Sequence, residues 1–120
     1  MIRVSVPIRT QSELNLRGFA ASWKGRHLRF KKQRQTVRQA WDYEGPFVLP
    51  KLPIRVTLIR IAPRRLDPDA LPASFKGVQD EVAAIFGIDD GDPGVTWVYQ
   101  QEKGLGPGRY EVVIQVEEDK

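Results

Sequence analysis

The chain has 120 residues and a formal net charge of +4, and 41% of its residues are hydrophobic. This length predicts one domain, and this composition suits a packed core rather than a disordered chain. The sequence contains no cysteine and a single histidine, His27, which excludes disulfide scaffolds, zinc-thiolate sites, cysteine nucleophiles and multi-histidine metal centres. No apolar run approaches the roughly 18 residues of a membrane span, and Pro7 interrupts the N-terminal sequence too early for a signal peptide. We therefore expect a cytoplasmic protein.

The N-terminal part of the chain predicts a short strand and then a long helix. Val4 and Val6 alternate with polar residues over Arg3–Ile8, which is the period of a strand. A helix is predicted from about Ser22 to Trp41, with Gly25 as a weak point. Its buried stripe is predicted to contain Trp23, Phe30, Val37 and Trp41.

The middle of the chain predicts a central strand and a second helix. Ile54–Ala62 is apolar on both faces, as is typical of a strand with neighbours on both sides. The second helix is predicted from Ala70 to Phe86, with Asp69 as its N-cap. Gly87 stands just after the last helical residue, where glycine is the usual residue that ends a helix.

The C-terminal part predicts two more strands. Val95–Gln101 and Arg109–Glu117 alternate in polarity, and the glycine-rich segment between them predicts a hairpin. The last residues, 117–120, are expected to fray. The order β-α-β-α-β-β predicts a small single-domain α+β fold in which a mixed sheet packs against two helices.

Charge is unevenly distributed, and the first helix is strongly basic. Between Glu13 and Asp42 there is no acidic residue. We interpret this run as a surface that binds an anionic polymer, the alternative being a solvated helix face. Its cationic residues are Arg17, Lys24, Arg26, Arg29, Lys31, Lys32, Arg34 and Arg38.

An acidic cluster surrounds the second helix. Asp67 and Asp69 precede the helix, Asp80 lies within it, and Asp89 and Asp90 follow it. Clustered carboxylates repel one another and usually need a cation, and without histidine or cysteine the oxygen ligands favour Mg²⁺ or Mn²⁺. The alternative is that these residues only cap a helix and stabilise turns.

A continuous second helix would hold the two acidic groups apart. Such a helix is about 25 Å long, so a single site requires the helix to break near Gly77 or the following loop to return along it. On a helical wheel, Asp69, Lys76 and Asp80 share the face opposite the apolar stripe. A lysine among carboxylates is suited to binding phosphate or stabilising a leaving oxygen.

This acidic pattern resembles the RusA family of Holliday junction resolvases, small homodimeric endonucleases of phage and prophage origin. The family pattern is a strand, D-x-D-N-L, a helix with a lysine and a further aspartate, and an aspartate pair before the next strand. The resemblance is close over the acidic part of the chain and looser elsewhere. The matching residues are Asp67, Asp69, Leu71, Asp80 and the pair Asp89-Asp90, with Pro7 and the polar loop around Asn15 similar to the family's start.

The resemblance implies a structure-selective endodeoxyribonuclease that resolves four-way junctions by metal-dependent phosphodiester hydrolysis as a homodimer. It implies that Asp67, Asp69 and Asp90 are catalytic and hold Mg²⁺ or Mn²⁺, with Asp89 as a further ligand or partner. It also implies that Lys76 would be the catalytic lysine and would stabilise the phosphate or the leaving oxygen. Branched DNA would lie on Arg17, Lys24, Arg26, Arg29, Lys31, Lys32, Arg34, Arg64 and Arg65.

The chain departs from the family pattern at two positions. Ala70 stands where the family has asparagine, and Ala73 stands where its lysine is usual, with Lys76 nearly one turn later. These departures keep open a second hypothesis, a RusA-like protein that binds DNA without cutting it. The retained carboxylates oppose it, because they repel an anionic polymer. A third hypothesis is a phage structural or assembly protein.

The aromatic residues and the histidine carry weaker predictions. Trp23, Trp41 and Trp97 are expected in the core or at a dimer interface rather than as stacking surfaces for bases. We expect His27 to face phosphates or solvent and to take no part in catalysis.

Overall fold

The computed structural model describes residues 1–13, 16–104 and 106–119 and contains one four-stranded sheet with helices on one face. The strands are β1 (Ile2–Val6), β2 (Ile54–Ala62), β3 (Val95–Lys103) and β4 (Glu111–Glu118). The helices are α1 (Trp23–Glu44), α2 (Leu71–Ser74) and α3 (Lys76–Phe86), and a 3₁₀ turn at Gly18–Ala21 precedes α1. The predicted α+β class with a mixed sheet is confirmed. The predicted loop around Asn15 lies outside the described residues.

The sheet has the strand order β1-β4-β2-β3, which makes β2 central, as its apolar pattern predicts. β2 pairs in parallel with β3 and antiparallel with β4, and β1 pairs antiparallel with β4. The predicted hairpin is therefore wrong, because β3 and β4 lie on opposite sides of β2. The two strands are about 10 Å apart, and the glycine-rich segment spans that distance across the end of β2. There the N–H of Gly104 donates to the carbonyl of Ala62 over 3.2 Å.

The core lies between the sheet and the helices. Leu58 of β2, Ile114 of β4 and Phe75 of the helical layer are fully buried. α1 contributes Val37 and Trp41, as predicted. No helix in the described part of the chain is long and apolar enough to cross a membrane.

Trp23 corrects the predicted stripe of α1. Its side chain is 73% exposed, although its helical spacing from Val37 and Trp41 predicts burial. Trp23 lies in the first turn of α1, and helical periodicity does not reveal where a helix extends past the core that its other turns cover.

Two glycines mark places where backbones approach closely. A Cβ on Gly25 would lie 2.1 Å from the carbonyl oxygen of Phe19, in the 3₁₀ turn. A Cβ on Gly77 would lie 2.5 Å from Oε1 of Gln33 on α1. Gly25 is thus a contact point rather than a weak point, and Gly77 lets α3 pack closely against α1.

The second helix is divided in two, which corrects the prediction of one helix from Ala70 to Phe86. Between α2 and α3, Phe75 adopts φ −95° and ψ 6°, close to the predicted break near Gly77. Phe75 is fully buried, and its ring stacks on Tyr99 at a centroid distance of 5.9 Å. Burial of this ring therefore accompanies the break. The N-cap of α2 is Ala70 and not Asp69, and it makes no side-chain capping bond.

The C-terminal residues are ordered, which corrects the expected fraying of residues 117–119. β4 continues to Glu118, and the N–H of Asp119 donates to the carbonyl of Pro53 over 3.0 Å. The carboxylate of Asp119 accepts from Arg55 at 3.1 Å and from the Thr96 hydroxyl at 2.9 Å. Lys120 lies outside the described residues.

Candidate functional site

The first acidic segment, Asp67–Asp69, follows β2 and is attached to β3 through a glutamine. Gln101 accepts the N–H of Leu66 on Oε1 at 2.9 Å and donates Nε2 to the carbonyl of Leu66 at 2.8 Å. These are the bonds that a neighbouring strand would make, so one side chain extends the hydrogen bonding of the sheet to the loop. Asp67 and Asp69 are exposed, and within the described residues neither carboxylate is hydrogen-bonded or ion-paired.

Arg60 fixes the start of the same loop from the helix side of the sheet. It is buried on the helix side of β2, and its Nη1 donates to the carbonyl of Arg64 over 2.7 Å. Its Nε donates to the carbonyl of Thr10 over 3.3 Å. Burial lowers the pKa of Arg60, and the two carbonyl bonds compensate part of the cost of desolvating the guanidinium.

The second acidic segment, Asp89–Asp92, connects α3 to β3. Gly87 ends α3 with φ 68°, a left-handed conformation that favours glycine. The indole Nε1 of Trp97 donates to the carbonyl of Asp90 over 2.8 Å, and the carboxylate of Asp92 accepts the N–H of Gly94 at 2.8 Å. Asp89 is exposed and Asp90 is partly buried. Trp97 therefore positions the acidic loop and is not a stacking surface.

Lys76 connects α3 to this second segment. Its Nζ lies 3.0 Å from Oδ1 of Asp80 and 3.6 Å from Oδ2 of Asp90. The hydrogen bond with Asp80 raises the pKa of Lys76, and the charge of Asp90 adds to this effect, so the ammonium stays protonated at neutral pH. The helix break makes Lys76 the first residue of α3. Of the predicted catalytic residues, the structure thus brings Lys76 and Asp90 together.

Tyr99 lies beside this pair and was not singled out from the sequence. Its hydroxyl donates to Oε1 of Gln79 over 2.6 Å. Burial raises the pKa of Tyr99, and the charge of Asp90 acts in the same direction. The alternation of β3 places Trp97, Tyr99 and Gln101 on one face of the strand, and this is the signal from which all three could have been found.

The two acidic segments are attached to β3 at different heights. Asp90 is attached at Trp97 and Leu66 at Gln101, four residues or about 13 Å further along the strand. Carboxylates that share one Mg²⁺ must lie within about 4 Å of one another, since each oxygen is about 2 Å from the metal. The described residues accordingly contain no group of three or more histidine or acidic side chains arranged to hold a metal. In this arrangement Asp67, Asp69, Asp89 and Asp90 do not fit a single ion, and the metal site stays a prediction.

Several of the predicted DNA-binding residues on α1 also make structural ion pairs. Arg29 is bound to both carboxylate oxygens of Glu13 and donates to the carbonyl of Ala20 over 2.6 Å. Arg34 and Arg38 donate to the two oxygens of Glu81 at 2.9 and 2.6 Å. Glu81 is buried while both guanidinium side chains are nearly half exposed, so these pairs hold α1 to α3 and still present positive charge to solvent.

A groove of about 780 Å³ runs between α1 and α3 beside these pairs. Its α3 side contains Asp80, the residue that binds Lys76. The basic surface and the second acidic segment are therefore continuous. The groove is lined by His27, Phe30, Lys31, Arg34, Gln35, Arg38, Gln39, Asp80 and Glu81.

The remaining predicted DNA-binding residues are all exposed. Lys24 lies over the ring of Trp23, with Nζ 5.8 Å from its centroid, and Arg26 lies 3.6 Å from Glu13. The others are Arg17, Lys31, Lys32, Arg64 and Arg65, which make no ion pair within residues 1–13, 16–104 and 106–119.

No family model matches the chain, and no curated protein or solved structure matches it either. The resemblance to the RusA family thus rests on the acidic motif and on the order of the helices and strands.

Proposed function

We propose that the chain is a RusA-like protein that binds branched DNA on the basic surface of α1 and is a metal-dependent endonuclease, as the resemblance implies. The observation that carries this proposal is the continuity between the basic groove and Asp80, which Lys76 connects to Asp90. A phosphate backbone bound along α1 would pass directly beside a protonated lysine and a pair of carboxylates. This juxtaposition suits phosphodiester chemistry better than binding alone.

The proposed roles differ between the two sides of the site. The cations of α1 neutralise phosphates without reading sequence, so binding falls steeply with salt. Lys76 is held protonated and would stabilise negative charge on the phosphate or the leaving oxygen. Mg²⁺ or Mn²⁺ is the proposed cofactor, but we assign it no step because its four proposed ligands are not gathered into one group.

A homodimer is part of the proposal, since two symmetric sites would address two opposed strands of a four-way junction. The loop after α1 supports an additional contact surface: Val48 is 95% exposed, and Leu49 and Leu52 are also exposed. Exposed apolar residues in one short segment are typical of surfaces that contact another chain. The proposed setting is the cytoplasm of a bacterium, with the gene of bacterial or phage origin.

A second candidate, a RusA-like protein that binds DNA without cutting it, is favoured by two observations. The backbones of the two acidic segments are attached to β3 at residues about 13 Å apart, and the described carboxylates form no group of three or more that could hold a metal. In addition, the ammonium of Lys76 already occupies the place of a counter-cation between Asp80 and Asp90.

One experiment separates these candidates. A labelled four-way junction and a linear duplex are incubated with the protein and Mg²⁺ or Mn²⁺, and both binding and nicking are measured. Paired, metal-dependent nicks in the junction support the endonuclease. Tight junction binding without nicks under either metal supports the non-cutting protein, and absence of both contradicts DNA as the partner.

A further inference from the structure

The 3₁₀ turn before α1 is held by several polar contacts, although none of its residues is buried. The close approach of Gly25 fixes it against the first turn of α1. The hydroxyl of Ser22 donates to the carbonyl of Phe19 over 2.5 Å and accepts the N–H of Gly25 at 3.1 Å. Arg29 holds the carbonyl of Ala20. Polar bonds and one glycine contact therefore order a segment that the hydrophobic core does not.

The 3₁₀ turn and the first turn of α1 each expose one aromatic side chain. Phe19 is 64% exposed and Trp23 is 73% exposed. Lys24 lies over the Trp23 ring, so the indole carries a positive charge beside its face. An exposed tryptophan costs free energy in water, and its exposure here points to a partner with a flat apolar face.

Trp23 also lies in line with the basic groove. His27, Lys31, Arg34 and Arg38 follow it at intervals of three or four residues, which places all five on one face of α1. The row is about 22 Å long. Three residues of this row, Lys31, Arg34 and Arg38, are cations, and a row of cations beside an aromatic ring matches a linear polyanion that carries aromatic groups.

Tyr43 at the other end of α1 provides the contrast. Its side chain is 90% exposed, but its sequence neighbours are Asp42 and Glu44. Around Trp23, by comparison, the sequence has no acidic residue between Glu13 and Asp42, and Glu13 itself is ion-paired with Arg29 and Arg26. The electrostatic setting therefore distinguishes Trp23 from Tyr43, because Trp23 lies where an anion is attracted.

We propose that Phe19 and Trp23 form a stacking platform for unpaired bases of DNA whose backbone lies along the basic face of α1. This inference rests on the proposed DNA binding by α1 and names the part of the substrate that the platform recognises. A second copy of the chain is disfavoured as the occupant, because it would bring two basic surfaces together. A membrane surface is the alternative that the vesicle measurement below tests.

The test compares the protein with the variants W23A and W23F and with the matched control Y43A. Binding of fluorescein-labelled oligo-dT, a blunt duplex and a four-way junction is measured by anisotropy over a range of salt concentrations. We expect W23A to weaken oligo-dT binding about tenfold, since loss of one base stack costs a factor of this order. Duplex binding and the salt dependence should be unchanged, because no charge is removed. W23F should keep most of the affinity, and Y43A should keep all of it.

Other outcomes overturn the inference. If W23A loses affinity equally for oligo-dT and duplex, or loses no affinity for oligo-dT, base stacking by Trp23 is contradicted. A change in oligomeric state of W23A in sedimentation, with normal oligo-dT binding, would assign the ring to contacts between copies. Loss of binding to vesicles of anionic lipid, with normal oligo-dT binding, would assign it to a membrane. If the unmodified protein binds no DNA of any shape, the proposed function fails as well. If W23A cuts junctions normally and binds oligo-dT as tightly as the unmodified protein, only this inference fails.

Discussion

The two acidic segments are held in opposite ways. In Asp67–Asp69 the backbone is fixed, through the bonds of Gln101 to Leu66, while the carboxylates themselves are exposed and unpaired. In Asp89–Asp92 the carboxylate of Asp90 is itself bound, by Lys76. The carboxylates of the first segment therefore have no cationic partner within the described residues, whereas Asp90 of the second segment is paired with an ammonium.

This difference indicates how the site responds to an incoming cation. A divalent ion that binds the carboxylates of the first segment displaces only water from them. An ion that binds Asp90 must displace the ammonium of Lys76. We therefore expect the two segments to differ in their affinity for a divalent cation, although both offer aspartate carboxylates. The predictions below test this difference, starting with the largest expected effect.

Asp69→Asn removes one unpaired carboxylate from the first segment. If the proposed endonuclease is correct, we expect junction cleavage to fall by about 100-fold or more, because a metal ligand and a negative charge are lost. DNA binding should stay equal or become tighter, since one repulsive charge is gone. Nicking and anisotropy on the same junction measure the two effects. D42N, which removes an exposed acid at the far end of α1, is the control, and normal cutting by D69N would contradict a metal site at this segment.

Gln101→Ala removes the anchor of the first segment. The N–H and the carbonyl of Leu66 lose both partners, and we expect the free energy of unfolding to fall by about 1–3 kcal/mol. Hydrogen exchange at the Leu66 amide should accelerate more than exchange in β1. Denaturant unfolding and exchange measured by NMR test this. Q100A is the control, because Gln100 is exposed on the opposite face of β3, and equal effects of the two variants would contradict the anchor.

Lys76→Met frees the carboxylates of the second segment. In the unmodified protein we expect Mg²⁺ to shift the amide resonances of Asp67 and Asp69 at lower concentration than that of Asp90. In K76M the amide of Asp90 should respond at a concentration several-fold lower than before, because no ammonium competes. K51M, which changes an exposed lysine outside the site, should leave the titration unaltered. An unchanged Asp90 response in K76M would show that the lysine does not control this segment.

The pH dependence of the Lys76 pair is the smallest effect. The pKa of Lys76 is raised above its ordinary value of 10.5, so the pair stabilises the folded protein fully below that pH. The contribution is lost as pH rises through the raised pKa. Lys76 is 51% exposed, and the contribution should therefore stay below about 0.5 kcal/mol. The difference in unfolding free energy between the protein and K76M, measured from pH 8 to 11.5, should shrink only above about 10.5. A difference that shrinks at lower pH would contradict the raised pKa.

Much of the layered architecture could be predicted from local pattern. The apolar residues on both faces of β2 predict its central place, and the spacing of Val37 and Trp41 predicts the buried face of α1. The hairpin was predicted wrongly because turn chemistry reports only that a chain bends. It does not report that β2 lies between the two strands that the bend connects.

The candidate site was predicted less completely, because its geometry depends on tertiary contacts. The pairing of Lys76 with Asp80 follows from their spacing on a helix. The helix break does not follow from local spacing, because it accompanies the stacking of Phe75 on Tyr99, a residue far away in sequence. The separation of the attachments of the two acidic segments does not follow from local spacing either, because it depends on where Gln101 and Trp97 lie on β3. Sequence spacing identified the carboxylates and could not measure the distance between them.

The strand order has a consequence for biosynthesis. Within the described residues β1 pairs only with β4, from Ile2 opposite Val116 to Val6 opposite Val112. During translation at about 5–20 residues per second, β1 must wait on the order of ten seconds before its partner leaves the ribosome. Until then its three valine and isoleucine side chains and its free edge are available to chaperones and to neighbouring nascent chains. Pairing of β1 with β4 therefore closes the sheet late, after β2 and β3 have been synthesised, although β1 precedes both of them in the chain.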